Sequence, residues 1–416
     1  MKAASRFPKS LFALVFALAL LPLLSFAQGP KEPNHYIQTN LVANRIDPST
    51  GLTAASTDAR LVNPWGLSRS TTSPWWVSDN GAGLSTLYNG AGATQGLFVK
   101  IPGPNGSDSN TFVATPTGTV YNGNPNAFLI GGKPASFIFV TEDGTISGWT
   151  GGAAGSSATL VIDNSTNPTP SEGAVYKGAA IGEFNGNEYL YVANFRSGKI
   201  EVYDASFKLV HLSDHDRDDR WDDRWDRDDK AFDDDRIPRG FAPFNIQNIG
   251  GDLFVTYARQ DRQKHDDLAG TGNGFVDLFS PSGRLLTRFQ HGPWLNSPWG
   301  IVWAPRDFGE FSNKILVGNF GSGWIAAYDG FTGQFEDFMR DHNGNILKID
   351  GLWALAFGNS AQGCPSTQVT GLPKCGAAGP YNSLFFSAGP NDEADGLFGT
   401  LTPDPAFNEL NEGDEL

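Results

Sequence analysis

Short apolar segments with alternating polar positions recur along this chain, and each is joined to a second one by a polar turn. Alternation with a period of two residues indicates β-strands, because successive side chains of a strand point to opposite faces. The pattern therefore predicts β-hairpins rather than helices. Six such hairpins occur, at residues 76–89, 139–149, 191–204, 254–279, 316–329 and 385–399.

The spacing of the hairpins predicts the fold. Repeated units of a few short strands are typical of the blades of a β-propeller. We therefore expect an all-β, six-bladed propeller with four-stranded blades, in which the innermost strand of each blade precedes its hairpin. Equivalent apolar positions are Val77, Val140, Val192, Val255, Val317 and Phe386, separated by 63, 52, 63, 62 and 69 residues.

The last blade lacks an outer strand in the sequence that follows it. Residues 36–42, in contrast, alternate like a strand but belong to no blade. We predict that they complete blade six, because closing the ring in this way removes an exposed sheet edge.

The first 27 residues predict an export signal. Lys2, Arg6 and Lys9 precede an apolar run at 11–24, and small residues follow at 25 and 27. This order is typical of a cleaved signal peptide, and the run is short for a membrane span. We expect a secreted or periplasmic protein with no membrane span after cleavage. The remainder divides into one propeller at 28–405 and an acidic tail at 406–416.

Composition agrees with many short strands and tight turns. The 416 residues include 50 Gly, 30 Phe, 11 Trp and 10 Tyr, while only 18% are charged. A net charge of −15 argues against a nucleic-acid partner. We expect a monomer. The two cysteines, Cys364 and Cys375, are predicted to form a disulfide in an oxidising compartment.

An Asp- and Arg-rich insertion interrupts the pattern at residues 211–237. Its segment 213–236 holds 12 Asp, 5 Arg and one Lys. Because such a composition cannot bury a core, we predict a solvated loop. Binding of divalent ions, or docking through Trp221 and Trp225, is the alternative.

Several longer strings resemble those of a known family. They lie at 63–67, 241–251, 265–267 with 272–277, and 391–399. They resemble a family of uncharacterised secreted bacterial six-bladed propellers, distantly similar to NHL-repeat propellers and to calcium-dependent lactonase and phosphotriesterase propellers. The resemblance implies the fold but supplies no activity. Residues 213–236 depart from the family's pattern.

Polar side chains are expected to converge at one mouth of the propeller. The loop between the second and third strands of a blade lies on the same face as the loop that enters the innermost strand. The first kind of loop carries Asp79, Asn80, Glu142, Asp143, Asn194, Asn319 and Asp392, and the second carries Asn63, Asn245, Asn296 and Asp350.

Carboxylates and amides that converge from several blades suit Ca²⁺, which takes about six to eight oxygen ligands. The candidate metal ring consists of Glu142, Asn194, Asn245 and Asn319. Asn and Asp are also frequent in tight turns because they tolerate left-handed backbone conformations. The sequence leaves both interpretations open.

Two further groups could act at this mouth. The long loop of blade four carries His265, Asp266 and Asp267, where His265 is the candidate general base; a solvated loop is the alternative. Indole side chains occupy matching places in three innermost strands. We expect them either to line the funnel and stack on a ligand, or to pack between the blades. These are Trp65, Trp299 and Trp353.

The sequence supports two functions. The first is a secreted binding or interaction module whose ligand is a glycan, a peptide or an envelope protein. The alternative is a calcium-dependent hydrolase, similar to a lactonase or esterase, in which the metal at the funnel polarises a carbonyl group. The chain contains no H-E-x-x-H, G-x-S-x-G or P-loop motif. Whether the protein is an enzyme therefore stays open at this point.

Overall fold

The computed structural model describes residues 34–107, 111–212, 231–361 and 376–408. The chain divides into two units, residues 1–31 and 32–416, and every described residue belongs to the second. The predicted export signal, Trp221 and Trp225, the predicted disulfide and the end of the acidic tail lie outside the described residues. Residues Pro405–Asn408 form one short α-helix.

Six antiparallel sheets form the blades, and the predicted six-bladed propeller is confirmed. Each sheet runs outward from an innermost strand that lines the central channel. The innermost strands are Pro64–Ser68, Pro116–Tyr121, Tyr176–Phe184, Phe241–Ile249, Pro298–Trp303 and Leu352–Phe357. The second strands are Trp75–Asp79, Phe137–Thr141, Asn187–Asn194, Asp252–Arg259, Lys314–Asn319 and Leu384–Ala388.

The third and fourth strands form the outer half of each blade. The third strands are Leu84–Tyr88, Thr145–Trp149, Lys199–Asp204, Gly274–Phe279, Ile325–Asp329 and Leu397–Pro403. The fourth strands are Thr94–Lys100, Thr159–Asp163, Leu209–Val210, Leu285–Arg288, Phe335–Phe338 and, in blade six, Tyr36–Ala43. Minor elements are Ser56–Thr57, the pair Leu129–Ile130 and Lys133–Pro134, and the 3-10 turns Asn80–Ala82, Pro104–Gly106 and Gly309–Phe311.

Blade six is completed by the N-terminal strand, as predicted. Tyr36–Ala43 pairs antiparallel with Leu397–Pro403, so the beginning and the end of the propeller share one sheet. Tyr36 is 1% exposed, and its hydroxyl donates to the carbonyl of Phe308 at 2.8 Å and accepts from the amide of Phe311 at 3.1 Å. The closing strand is therefore also fixed to blade five.

Apolar side chains fill the spaces between neighbouring blades. Phe254 and Val276 of blade four, for example, belong to the same buried cluster as Ile315 and Val317 of blade five. Since each blade packs its two faces against its two neighbours, every blade has both faces covered only when the ring is closed. The described residues include no helix long and apolar enough to cross a membrane.

Glycine allows the innermost strands to approach one another near the axis. A Cβ atom on Gly118 would lie 2.7 Å from the backbone nitrogen of Ala179, and one on Gly66 would lie 2.5 Å from the carbonyl of Thr117. Both distances are too short for any side chain. Trp65 and Thr117 precede these two glycines. Together with the residues at the matching position of the other four innermost strands, they form a ring of side chains around the axis: Trp65, Thr117, Lys177, Phe244, Trp299 and Trp353.

The end of the Asp/Arg-rich insertion is packed against the propeller, which corrects the prediction of a solvated loop for residues 231–236. Phe232 is 8% exposed and contacts the rings of Tyr191 and Phe279. Asp234 accepts two hydrogen bonds from Arg288, one of them 2.7 Å long. One aromatic ring and one paired carboxylate are enough to hold this segment, although its overall composition is that of a solvated loop. Residues 213–230 lie outside the described part.

Candidate functional site

A buried lysine lies at the end of the channel where the innermost strands begin. The side chain of Lys177 is 2% exposed, and its Nζ donates to Glu142 and, at 3.3 Å, to Asp266. The same Nζ lies 5.0 Å from the ring centroid of Trp65 and 5.9 Å from that of Phe244. Burial opposes the charge of this ammonium group, but Glu142 and Asp266 outweigh it and hold the pKa of Lys177 above its ordinary value.

Sequence reasoning missed Lys177, although a signal was present. Aligning the innermost strands places this lysine where three other blades carry tryptophan and one carries phenylalanine. A single charged residue in an otherwise largely aromatic ring is costly unless it is paired. The substitution of one blade's aromatic residue by lysine therefore pointed to carboxylates nearby.

Hydrogen bonds between side chains connect three blades across this mouth. The indole Nε1 of Trp353 donates to Oδ1 of Asn63 at 3.0 Å, which fixes the amide so that its Nδ2 faces the mouth. That Nδ2 lies 3.2 Å from Oδ1 of Asn80 and 2.6 Å from Oε2 of Glu393. Asn80 in turn donates to Glu142 at 2.8 Å. Asn63, Asn80 and Glu142 are thus brought together by hydrogen bonds.

Glu393, rather than the predicted Asp392, points to this group. Residues 391, 392 and 393 all have positive φ angles of 58°, 54° and 64°, and Asp392 is exposed. Three successive residues in this left-handed region are strained, and such strain is concentrated at functional sites. The turn is held by Asp350, another predicted ligand residue, whose Oδ2 accepts from the amide of Asn391 at 2.9 Å.

Burial raises the pKa of Glu393 to about 7, and the nearby charge of Glu142 adds to this rise. The carboxyl group therefore changes its charge near neutral pH. Its contact with Asn63 persists in either state, because the acceptor oxygen remains.

The long loop of blade four brings two of its three predicted residues to the mouth. The backbone amide of His265 donates to Oδ1 of Asp261 at 2.8 Å, which shapes the turn, and Nδ1 of His265 lies 2.9 Å from Oδ1 of Asp266. That contact raises the pKa of His265 and lowers the pKa of Asp266. The side chain of Asp266 is 64% exposed, so it meets solvent and Lys177 together. Burial raises the pKa of the third residue, Asp267.

The candidate calcium ring is not assembled by these residues. Asn194 donates to Glu201 at 2.6 Å, Asn245 donates to the carbonyl of Trp299 at 2.8 Å, and Oδ1 of Asn319 accepts from the amide of Asn296 at 2.8 Å. These amides serve turns and strand contacts, which is the alternative that the sequence left open.

One other group of possible metal ligands occurs among the described residues. Ligand atoms of Glu142, His265 and Asp266 lie within 4.8 Å of one another. Lys177, however, already donates to two of these three residues, and the third offers nitrogen rather than oxygen. Ca²⁺ needs about six to eight oxygen ligands. The side chains therefore do not fit calcium, because an ammonium group occupies the position that a metal ion would need.

The remaining predicted residues have structural positions. Asp79 is fully buried, which raises its pKa well above the ordinary range. Asp143 accepts hydrogen bonds of 2.8 and 2.9 Å from the amide and hydroxyl of Thr115, and Oδ1 of Asn296 accepts from the amide of Gly270 at 2.6 Å. None of these three side chains forms a hydrogen bond or an ion pair with Lys177.

The three predicted tryptophans form a plug rather than a stacking surface. Trp65, Trp299 and Trp353 are 2%, 4% and 1% exposed, and the centroids of Trp65 and Trp353 lie 3.4 Å apart. Buried rings cannot stack on a ligand that arrives from solution, which corrects that part of the prediction. We call the group of Asn63, Asn80, Glu142, Lys177, His265, Asp266 and Glu393 the polar mouth; the plug forms its floor.

Comparison with known proteins gives relatives whose names state no function. Protein R640 of Acanthamoeba polyphaga mimivirus is 32% identical over 329 residues, which cover 78% of this chain and 56% of that protein. The chain thus spans little more than half the length of R640. Proteins R648 and L690 of the same virus are 28% and 27% identical, and the matches cover 88% and 90% of this chain and 79% and 89% of theirs. These viral relatives do not support the expected bacterial origin of the family.

No protein-family model matches the chain. Among solved structures, a streptogramin B lyase superposes with a TM-score of 0.45 at 11% identity, covering 88% of this chain and 97% of its own. A variant of an α-L-arabinofuranosidase from Fusarium graminearum gives 0.44 at 10% identity, covering 90% and 98%. At these identities and scores the likeness says nothing about activity.

Proposed function

We propose that this protein is a ligand-binding propeller whose polar mouth takes a positively charged group of its ligand, an ammonium group above all. The observation that carries the proposal is an excess of carboxylates around one buried lysine. Glu142, Asp266 and Asp267 all act on the charge of Lys177. Glu393 belongs to the same electrostatic group, since Lys177 also affects its pKa.

The arrangement divides the carboxylates by role. Glu142 is bonded to both Lys177 and Asn80 and is 10% exposed, so it serves the floor of the mouth. Asp266 is exposed and faces the same space, so it is the first carboxylate that a ligand meets. A cation placed between Asp266 and Glu393 would be attracted by both, and the low local dielectric above the aromatic plug strengthens this attraction.

Binding of a cation should strengthen as the pH rises through neutrality. Below this range Glu393 is protonated, and above it Glu393 carries a negative charge. The mouth therefore gains one negative charge over this interval. Loss of the proton of His265, whose pKa Asp266 raises above its ordinary value, acts in the same direction.

The test is calorimetric titration with two matched pairs of probes: a tri-lysine peptide with blocked termini against its Nε-acetylated form, and a glucosamine trimer against its N-acetylated form. We expect only the charged member of a pair to bind. The peptide should bind more tightly at pH 8 than at pH 6; the sugar is compared at pH 6 only, because its amines lose their charge at higher pH. Binding of the peptide or of the sugar then distinguishes the two ligand sources. Equal binding of charged and neutral members would contradict the proposal.

Asp266→Asn is the informative variant. It keeps the size of the side chain and removes the exposed charge, so Kd should rise at least tenfold. Asp252→Asn, a change at the start of the second strand of blade four, is the matched control and should leave Kd unchanged. A variant Asp266→Asn that binds as tightly as the parent would show that the ligand does not meet this carboxylate.

The calcium-dependent hydrolase considered from the sequence is not the function that this geometry favours, because Lys177 supplies the central cation. Melting temperatures in EDTA and in millimolar Ca²⁺ test this point. A ligand that binds only the folded state stabilises it by RT ln(1 + [L]/Kd). We expect equal melting temperatures; a clear rise with Ca²⁺ would restore the hydrolase as the leading candidate.

Export is the second part of the proposal. It is supported by the N-terminal pattern of basic residues, an apolar run and small residues before position 28. N-terminal sequencing of the protein recovered from its native compartment should begin at Gln28. A protein that retains residues 1–27 in the cytoplasm would contradict it.

A further inference from the structure

The channel widens again beyond the aromatic plug, at the end where the innermost strands finish. A cavity of about 440 Å³ lies there, and residues of all six blades line it. A smaller recess, lined by Gly66, Gly118 and Trp299 among others, continues from it toward the plug. Ligand pockets in proteins occupy about 300–1,000 Å³, so this cavity has the size of a small-molecule site. We call it the lower cavity.

Arg69 supplies the charge of the lower cavity. Its Nε donates to the carbonyl of Phe357 at 2.8 Å and its Nη2 to that of Gly358 at 2.9 Å, while the guanidinium lies 5.5 Å from the ring centroid of Trp75. Within residues 34–107, 111–212, 231–361 and 376–408, no carboxylate forms an ion pair with it.

The two hydrogen bonds to carbonyl groups use only some of the N–H donors of this guanidinium group. They join blade one to blade six, which is a structural role. Arginine carries five N–H donors, however, and those on Nη1 remain without a partner among the described residues. Burial lowers the pKa of Arg69 to about 10, because an unpaired cation is unfavourable where it is shielded from water. An anion in the cavity would offset this cost.

A second polar group points to a ligand in the same place. Thr119 is 8% exposed and lines the cavity, and its Oγ1 is buried without a hydrogen-bond partner in the described part of the chain. Buried hydroxyl groups are normally satisfied. Gln247 contributes an exposed amide from an innermost strand to the same wall.

The rest of the wall is apolar. Leu67, Trp75, Ile301 and Leu355 line the cavity together with the rings of Trp303 and Phe357. A fully hydrated ion such as phosphate would leave these side chains uncovered. An apolar body that carries one anionic group would cover them and also pair with Arg69.

We propose that the lower cavity binds a small organic carboxylate with an apolar body, whose carboxylate pairs with Arg69. This site is separate from the polar mouth, because the buried rings of Trp65, Trp299 and Trp353 lie between the two. It takes a ligand of the opposite charge and does not depend on the function proposed for that mouth.

The test is calorimetric titration with 4-phenylbutyrate and with its neutral amide, and inorganic phosphate serves as a third probe. We expect the carboxylate to bind the parent protein at least tenfold more tightly than the amide, and phosphate to bind weakly. Arg69→Gln should remove the preference for the carboxylate. Arg284→Gln, which removes an exposed arginine of blade four, is the matched control and should retain it.

Gln247→Trp is a second variant for the case in which Arg69→Gln fails to fold. It fills the cavity from an exposed strand position and leaves Arg69 and its two carbonyl contacts in place. We expect it to abolish binding of 4-phenylbutyrate. The proposal is overturned if the parent binds neither organic probe, if the amide binds as tightly as the carboxylate, or if Gln247→Trp binds unchanged.

Discussion

The two ends of the central channel are built from the same six strands, yet they present opposite chemistry. At the polar mouth, one buried cation is surrounded by carboxylates that belong to three different loops. At the lower cavity, one arginine meets backbone carbonyls, apolar walls and no described carboxylate. In one case the cation is paired and serves the floor of a negative site, and in the other the cation is itself the group available to a ligand.

The difference follows from the kind of backbone that surrounds each end. The carboxylates of the polar mouth lie in loops between second and third strands, whose length and sequence differ from blade to blade, so charged residues can be placed there singly. Lys177 and Asn63 come from the start of an innermost strand and from the position before one. The lower cavity is formed by the ends of regular strands, whose alternating side chains belong to the apolar spaces between the blades. Loops therefore give the first end its charge, and strand geometry keeps the second end apolar.

The largest effect is expected from Lys177→Met. Because this change leaves Glu142 buried without its partner, it should lower the free energy of unfolding by about 3–5 kcal/mol. Adding Glu142→Gln should recover at least about 1 kcal/mol, since the unpaired charge is then removed. Urea unfolding followed by tryptophan fluorescence measures both values.

Lys208→Met, at an exposed position, is the control for the loss of a lysine and should change stability by about 0.5 kcal/mol or less. If Lys177→Met lowers the free energy of unfolding no more than this control does, the buried ion pair does not stabilise the polar mouth.

Arg69→Gln should be less costly, which sharpens the contrast between the two ends. The change removes two hydrogen bonds from a charged donor to the carbonyls of blade six and leaves no carboxylate unpaired, so a loss of about 2 kcal/mol is expected. The same urea titration compares it with Arg284→Gln. A cost equal to that of Lys177→Met would mean that Arg69 has a buried partner and that the two ends are alike.

Of the two ends of the channel, the polar mouth is the one that should give stability a pH dependence near neutrality. A glutamate has an ordinary pKa of 4.5 and Glu393 has one of about 7 in the folded protein, so the folded state holds the proton more tightly. The resulting stabilisation is complete below the unfolded pKa and is lost as the pH rises through 7, a change on the order of 3 kcal/mol. Glu393→Gln should show a smaller decline than the parent, because burial also raises the pKa of Asp277, to about 8, and that contribution remains.

Unfolding of both proteins at pH 4.5, 6, 7 and 8 measures the difference. Glu183→Gln, at an exposed strand position, should retain the decline of the parent. Parallel profiles for the parent and Glu393→Gln would show that Glu393 ionises normally.

The smallest effect compares glycine substitutions at the two ends. Asp392 has a φ angle of 54°, where glycine is favoured, so Asp392→Gly should be neutral or stabilising by up to about 1 kcal/mol. Gln247→Gly places glycine in a regular strand and should cost about 0.5–1 kcal/mol. Thermal unfolding measures the change in stability of both variants. The expectation is met if Asp392→Gly is neutral or stabilising and Gln247→Gly is destabilising. A clear loss of stability in Asp392→Gly would mean that this turn is not strained.

The propeller, its hairpins and its innermost strands could be predicted from the sequence, whereas the fourth strands of blades three and five, Leu209–Val210 and Phe335–Phe338, were not located. Alternating apolar positions and six equivalent hairpins set the number of blades, and the unassigned strand at residues 36–42 had only the incomplete last blade to join. These features are local, and each depends on residues close together in the chain. The location of the candidate site at the loop end also followed, because strand direction determines which loops share a face.

The ligand residues could be predicted only in part. Asn63, Asn80, Glu142, His265 and Asp266 do meet, but Asn194, Asn245 and Asn319 are used in turns and strand contacts. Sequence chemistry is the same in both cases, since an amide that caps a turn and an amide that binds a ligand look alike. Glu393 was missed in favour of Asp392 because three successive left-handed residues determine which side chain faces the mouth.

The sequence by itself determined the repeated strands, the number of blades, the closing strand and the end of the channel at which polar residues gather. Only the tertiary structure decided that the tryptophans form a buried plug, that Lys177 takes the central position expected for a metal ion, and that Arg69 faces a cavity on the other side. Periodicity fixes the direction of a side chain relative to its own strand. Burial and charge pairing depend on which residues of other blades arrive at the same point. Such residues can be far apart in the chain, as Asn63 and Glu393, 330 positions apart, show.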